Sequence, residues 1–315
     1  MPQDLTHAIE IARERIRPYI IETPVEASPA LGAELQAEVW LKMEHLQITG
    51  SFKLRGATNK VLSVGGDRVV TASTGNHGAA VAHICRQTGR QALVFLPETA
   101  STAKVRYLHL LGADLRYHGQ DSVETEYEAR RYADAAGLPY ISPYNDPEVV
   151  AGQGTLAAEL MHQLPYLDAV LVPVGGGGLI GGMAAYIKQL FPHVQVIGCQ
   201  PTQSAVMYAS IRAGRVLDLP SYPTLSDGTA GGLEPDSITF GLCRDWVDDF
   251  ILVSEDEIRA ALRYLIETHY LLVEGAAALS LAALRQQAGR FAGKRVALIL
   301  CGRKLGIDTL REVIA

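Results

Sequence analysis

Lys53 stands in Gly50-Ser51-Phe52-Lys53-Leu54-Arg55-Gly56-Ala57, just after a glycine-serine turn where a helix would begin. Apolar neighbours on both sides weaken the hydration of an ammonium. The amine is therefore expected to give up its proton more readily than a surface lysine and to attack a carbonyl as a nucleophile. A solvated lysine at a helix start is the plain alternative. A second stretch, Val172-Pro173-Val174-Gly175-Gly176-Gly177-Gly178-Leu179, runs from an apolar strand through four glycines into a helical pattern. Backbone N–H groups in such a turn, backed by a helix N-terminus, form a concave site suited to a phosphate. Gly176, Gly178 and Gly181 also satisfy the G-x-G-x-x-G dinucleotide pattern. The next strand, however, leads to Cys199, Gln200 and Pro201 rather than to an acidic residue. The third stretch, Ala72-Ser73-Thr74-Gly75-Asn76-His77-Gly78, again joins a strand to a helix. Its hydroxyls and amides suit a carboxylate, with Asn76 placed to donate to a ring hydroxyl, and a capped helix start is the other reading.

Strands and helices must hold these three stretches in place. Apolar runs at 69–72, 92–96, 169–174, 194–198 and 296–301 read as strands buried on both faces, as in a parallel sheet. Amphipathic patterns at 8–17, 78–88, 123–136, 155–163 and 255–268 read as helices between them. In the last, Ile258, Ala261, Leu262, Leu265 and Ile266 form the expected buried stripe, and Ser254 with Glu257 reads as a capping box. The alternation predicts an α/β fold with parallel sheets flanked by helices. Residues 69–148 carry their own strand-helix alternation and are expected as a small substrate-loop domain. Residues 1–68 and 149–315 then make a discontinuous large cofactor-binding domain.

The 315 residues are 48% hydrophobic and 20% charged, enough to bury a sizeable core. A net charge of -6 without any Lys/Arg-rich run argues against a nucleic-acid surface. The longest apolar tract, Leu271 to Leu284, is interrupted by Glu274, so no membrane span is expected. The early charges of the sequence lead us to expect no signal peptide. Cys85, Cys199, Cys243 and Cys301 form no C-x-x-C pair, which leaves a reducing cytoplasm as the expected setting.

An amine nucleophile, a tetraglycine phosphate turn and an Asn-bearing anion loop are the parts that hold pyridoxal 5'-phosphate. With TPVE at 23–26 and LKMEHLQITGSFKLRGA at 41–57, the chain resembles the tryptophan-synthase-β-like, fold type II pyridoxal-phosphate enzymes. Within them it is similar to the serine/threonine dehydratase and serine racemase branch. The resemblance implies a two-domain fold and a cytoplasmic homodimer acting on a small amino acid. It implies Lys53 as the imine-forming lysine beside Phe52, and Asn76 at the cofactor's 3'-oxygen. Gly175, Gly176, Gly177, Gly178 and Leu179 are implied at the phosphate, and Cys301 opposite the pyridine nitrogen. Ser73, Thr74, Gly75, Asn76 and His77 are implied at the substrate carboxylate, with Glu274 near the active site.

The implied activity is α,β-elimination from a threonine- or serine-type β-hydroxy amino acid, giving a 2-oxo acid and ammonia in amino-acid catabolism. Alternatives are a dehydratase for a specialised substrate (in hydroxyectoine breakdown, or a hydroxyaspartate), an amino-acid racemase, and a nicotinamide-dependent oxidoreductase resting on the glycines alone. Several features depart from the family pattern, among them that Glu274 is followed by Gly275 rather than by Pro. Cys301-Gly302-Arg303-Lys304 replaces the common Ser-Gly-Gly-Asn, and Thr74 replaces the second acid/base serine of serine racemase. A neutral thiol at Cys301, unlike a carboxylate, would not keep a pyridine nitrogen protonated, which favours prompt loss of the β-hydroxyl over transamination. Relatives bind a cation near the segment Asp227 to Asp236, for which a solvated loop is the other reading.

Overall fold

Among residues 2–315, which this computed structural model describes, nine strands form two separate sheets. They are β1 (Val25–Ala27), β2 (Glu38–Lys42), β3 (Arg68–Ala72), β4 (Gln91–Leu96), β5 (Asp114–Tyr117), β6 (Ala169–Pro173), β7 (Gln195–Pro201), β8 (Asp249–Val253) and β9 (Arg295–Ile299). The larger sheet runs β1-β2-β9-β6-β7-β8, with every pairing parallel except β1 on β2. The smaller runs β3-β4-β5, all parallel. Every residue of β6 is buried, which is why its sequence shows an unbroken apolar run rather than alternation. The helix Gly275–Gln286 packs on β6 to β9, and the helix Gly178–Leu190 on β6 and β7.

The five strand runs and five helices expected from the sequence are all present, with shifted ends. The capping box at Ser254 and Glu257 forms, and Ile258, Ala261, Leu262 and Leu265 are buried below it. Ile266 is only half-buried, at the edge of that stripe. Strands β1, β2 and β5 carry no long apolar run, whereas β8 carries one, Phe250 to Val253, that the sequence reading missed. Lys42 ends β2 fully buried, and β5 is an edge strand whose residues are mostly exposed.

The helix Lys53–Ser63 joins the two halves. Leu54, Ala57 and Val61 sit in the apolar cluster of the smaller sheet, with Ala79 to Cys85 and Leu108. On its other side Arg55, fully buried, donates to Glu44 at 2.9 and 2.7 Å and to Glu159 at 2.9 Å. Lys42 pairs with the same Glu159 and donates to the Thr23 carbonyl at 2.8 Å. Removing one member of such a buried cluster strands the others, a loss of about 3–5 kcal/mol. The cluster thus fixes the start of the Lys53 helix against β2 and the helix Pro147–Gln163.

Candidate active site

Lys53 opens its helix half-buried, and its Nζ donates to the Pro143 carbonyl at 2.8 Å. The nitrogen stands 5.2 Å from the centroid of the Phe52 ring. Burial lowers its pKa to about 8, against the opposing pull of Cys301 and Glu274. The end of β9 comes alongside, because the Phe52 N–H donates to the Cys301 carbonyl at 3.1 Å and Ser51 bridges to Gly302. The Cys301 thiol is buried, which pushes its pKa well above the ordinary value and keeps it neutral.

The strand β6 delivers the glycine turn. Among the described residues, the N–H groups of Gly175, Gly176 and Gly177 donate to no protein acceptor, and the helix starting at Gly178 stands behind them. The Gly176 carbonyl is held by Thr239 Oγ1 at 2.6 Å, which fixes the turn without using those donors. Leu179 turns into the large core. Tyr144 lies over the turn, so that a Cβ on Gly176 would fall 2.4 Å from its ring. Its hydroxyl accepts from the Glu234 N–H at 2.9 Å. Pro143 and Tyr144 therefore link Lys53 to the glycine turn, one through its carbonyl and the other through its ring.

The turn after β3 is tied down by its own groups. Ser73 Oγ accepts from the Gly75 N–H at 3.2 Å, and the Ser73 carbonyl folds back so closely that a Cβ on Gly78 would lie 2.1 Å from it. Thr74 and Gly75 remain half-buried at the tip. His77 faces away, its Nε2 donating to the Ile141 carbonyl at 2.9 Å. Burial and nearby Lys53 lower its pKa to about 3, so the ring stays neutral. Asn76 Nδ2 donates to both carboxylate oxygens of Glu274, at 3.0 and 2.9 Å. The donor expected for a ring hydroxyl is thus in use, and the atom left buried without a partner is Oδ1, an acceptor.

Glu274 caps the helix Gly275–Gln286 and also accepts from the Lys304 N–H at 3.1 Å. Burial raises its pKa, opposed by the Asn76 hydrogen bond. Lys304, reached through the C-terminal turn after Cys301, places Nζ 3.4 Å from the Gly75 carbonyl, and burial lowers its pKa to about 8. Pro143, Tyr144, Thr239 and Lys304 were outside the residues expected at the site. Tyr144 lies in a stretch, SPYNDPE, that reads only as a polar loop.

The segment Asp227 to Asp236 makes bonds across to the smaller half. Asp227 pairs with Lys104 at 3.6 Å, and Glu234 pairs with Arg130 at 2.7 Å and accepts from Asn145 at 2.8 Å. Among the described residues no three His, Cys, Asp or Glu side chains gather as a metal site.

An amine, three bare amides at a helix start, a free buried amide oxygen and a neutral thiol fit a phosphorylated pyridine aldehyde. A family model described as pyridoxal-phosphate dependent enzyme matches residues 16–302. An L-threonine ammonia-lyase of Thermotoga maritima is 37% identical over 310 residues, 97% of this chain and 77% of that protein. The solved structure of the processed form of threonine deaminase isoform 2 from Solanum lycopersicum superposes with a TM-score of 0.93 at 30% identity, covering 98% of this chain and 92% of that one. Maize serine racemase gives 0.91 at 31% identity, covering 98% and 96%. The nicotinamide reading of Gly176, Gly178 and Gly181 gives way to these likenesses. The chain belongs to the fold type II pyridoxal-phosphate enzymes, in the threonine/serine dehydratase and serine racemase family, and has that family's two-domain α/β fold.

Proposed function

We propose that the protein is a pyridoxal-phosphate-dependent ammonia-lyase that dehydrates a β-hydroxy amino acid such as threonine or serine to a 2-oxo acid and ammonia. The observation that carries this reading is a partly desolvated Lys53 amine joined through Pro143 and Tyr144 to a turn of unused backbone donors. Bound pyridoxal phosphate supplies an electron-accepting ring for the pair left at the substrate's α-carbon.

The chain's own groups do the rest. The amides of Gly175 to Gly178, with Leu179 behind them, would hold the phosphate, and Phe52 would flank the ring. Cys301 would face the pyridine nitrogen as a neutral thiol, and Asn76 with Glu274 the 3'-oxygen. Thr74, Gly75 and Asn76 would hold the substrate carboxylate on a turn that Ser73 and His77 keep in shape. Lys53 Nζ takes the α-proton as a general base, the C–O bond at the β-carbon breaks, and the departing hydroxyl takes up one proton, so that the α-hydrogen and the β-hydroxyl leave together as one water. Hydrolysis of the remaining enamine releases ammonia, giving 2-oxobutanoate from threonine or pyruvate from serine.

Lys53→Ala is expected to lower 2-oxo acid release by at least about 1000-fold and to remove the visible absorbance of the bound cofactor. Retained deamination would overturn the role of Lys53. Because burial brings this amine's pKa down to about 8, the base form is scarce below that pH. Turnover is expected to rise with pH up to about 8 and then level off, as read from a pH–rate profile.

The large domain of 1–68 and 149–315 and the small domain of 69–148 are supported by the two separate sheets, although the apolar face of the Lys53 helix packs into the core of the smaller half. No helix is long and apolar enough to cross a membrane among the described residues. A cytoplasmic setting is supported by four free, buried cysteines. A homodimer is supported by exposed Ile21, Leu46 and Ile48, on segments that Gln47 ties together.

A further inference from the structure

The segment Glu234 to Thr239 grips the glycine turn from two sides. On one side Thr239 Oγ1 donates to the Gly176 carbonyl at 2.6 Å. On the other, the Glu234 N–H donates to the hydroxyl of Tyr144, whose ring lies over Gly176. Asn145 is held twice by the same segment. Its Nδ2 donates to the Glu234 carboxylate at 2.8 Å, and its Oδ1 accepts at 2.9 Å from the N–H of Ile238, where the helix Ile238–Trp246 begins. With both ends of the Asn145 amide engaged, Tyr144 and Pro143 just before it have little room to shift. The Pro143 carbonyl is in turn the acceptor of Lys53 Nζ.

Glu234 is built to hold this position. Pro235 presets the turn that follows, and the Ser237 N–H closes it onto the Glu234 carbonyl at 3.0 Å. The carboxylate also accepts at 2.7 Å from Arg130, on the helix Ser122–Ala136 of the smaller half. Arg130 is itself placed by Glu126 at 2.9 Å and by the Tyr140 ring, 4.4 Å to the centroid. Its side chain is 34% exposed, so water screens this pair and leaves the Asn145 bond as the firmer of the two. Burial raises the pKa of the Glu234 carboxyl, and Asn145 and Arg130 oppose the rise. Among the described residues, the hydrogen bonds of the carboxylate go to these two and not to Lys53 or the glycine turn.

We propose that Glu234 is a positioning residue: through Asn145 and Tyr144 it holds the Pro143 carbonyl on Lys53 and the Tyr144 ring on the phosphate turn. This role deepens the dehydratase reading, resting on it for turnover but not for retention of the cofactor.

The two effects are read separately on the holoenzyme. Cofactor release is followed as the loss of visible absorbance after dilution into buffer without pyridoxal phosphate. Glu234→Ala is expected to speed release about 10-fold, the worth of one hydrogen bond to a charged group. It is expected to lower kcat about 10- to 100-fold with KM within about twofold, as for a base held slightly out of place. Glu234→Gln keeps an acceptor for Asn145 and should restore most of both. Arg130→Met should speed release only about 2- to 5-fold, in keeping with its screened pair, and it decides the matter should Glu234→Ala not fold. Lys104→Met is the control, because its pair with Asp227 also crosses between the halves but bonds neither Tyr144 nor Asn145. Equal acceleration in Lys104→Met would reduce Glu234 to general contact between the halves and overturn the proposal. So would a lowered unfolding temperature with release and kcat unchanged, or a loss confined to KM. Faster release from Glu234→Ala, in a protein whose unaltered form yields no 2-oxo acid from any β-hydroxy amino acid, would uphold the positioning role while sinking the dehydratase reading.

Discussion

Two turns of the same kind, strand into glycines into helix, meet at this site and are held differently. The turn at 175–178 after β6 keeps its amide donors unused, and its stiffness comes from outside, from Thr239 on one carbonyl and the Tyr144 ring above. The turn at 73–78 after β3 spends its groups on itself and its neighbours, with Ser73 on Gly75, His77 on Ile141 and Asn76 on Glu274. A turn with free, fixed donors is ready for a permanent anion at no cost in reorganisation. A turn shaped by Ser73 and His77, whose Asn76 reaches Glu274 across the two halves, keeps its tip at Thr74 and Gly75 half-exposed and open to a ligand that comes and goes. The first suits a resident phosphate, the second a substrate that turns over.

Substitutions that add a single methyl group test this contrast. Gly78→Ala should have the largest effect. Its Cβ would lie 2.1 Å from a backbone carbonyl that cannot move without unmaking the turn, so a loss of stability of about 3 kcal/mol is expected in thermal or denaturant unfolding. Gly176→Ala meets the Tyr144 ring at 2.4 Å, and a side chain can yield where a backbone cannot. Stability should fall by only about 1 kcal/mol, while cofactor affinity, read by titrating pyridoxal phosphate into the apoprotein, drops by about 10- to 100-fold. The contrast breaks if Gly176→Ala binds cofactor normally. Gly75→Ala should do least to the fold. The nearest atom to its added Cβ is Ser73 Oγ at 4.0 Å, so stability is expected to stay within about 0.5 kcal/mol. If the tip receives the substrate carboxylate, KM should nonetheless rise; an unchanged KM would take the substrate elsewhere.

Much of this architecture was legible in the linear chain because its causes are local. An apolar run such as β6 announces burial on both faces, Ser254 and Glu257 cap the helix between them, and four successive glycines suit a close backbone approach. Lys53 between Phe52 and Leu54 already pointed to a desolvated amine, and its pKa of about 8 agrees with that expectation. What the sequence left open depends on partners far along the chain. Asn76 finds Glu274 across 198 residues, and Lys53 finds the Pro143 carbonyl across 90. The buried Arg55, Glu44, Lys42 and Glu159 cluster resembles surface charge until the fold closes around it.

Residue types and short spacings determined which chemistry the chain could carry, since propensity, capping and hydration act over a few residues. Tertiary packing alone decided which donors stay free. It spent the Asn76 amide on Glu274 and laid Tyr144 over Gly176. A hydrogen bond has one donor and one direction, and only the folded chain determines where each one is used.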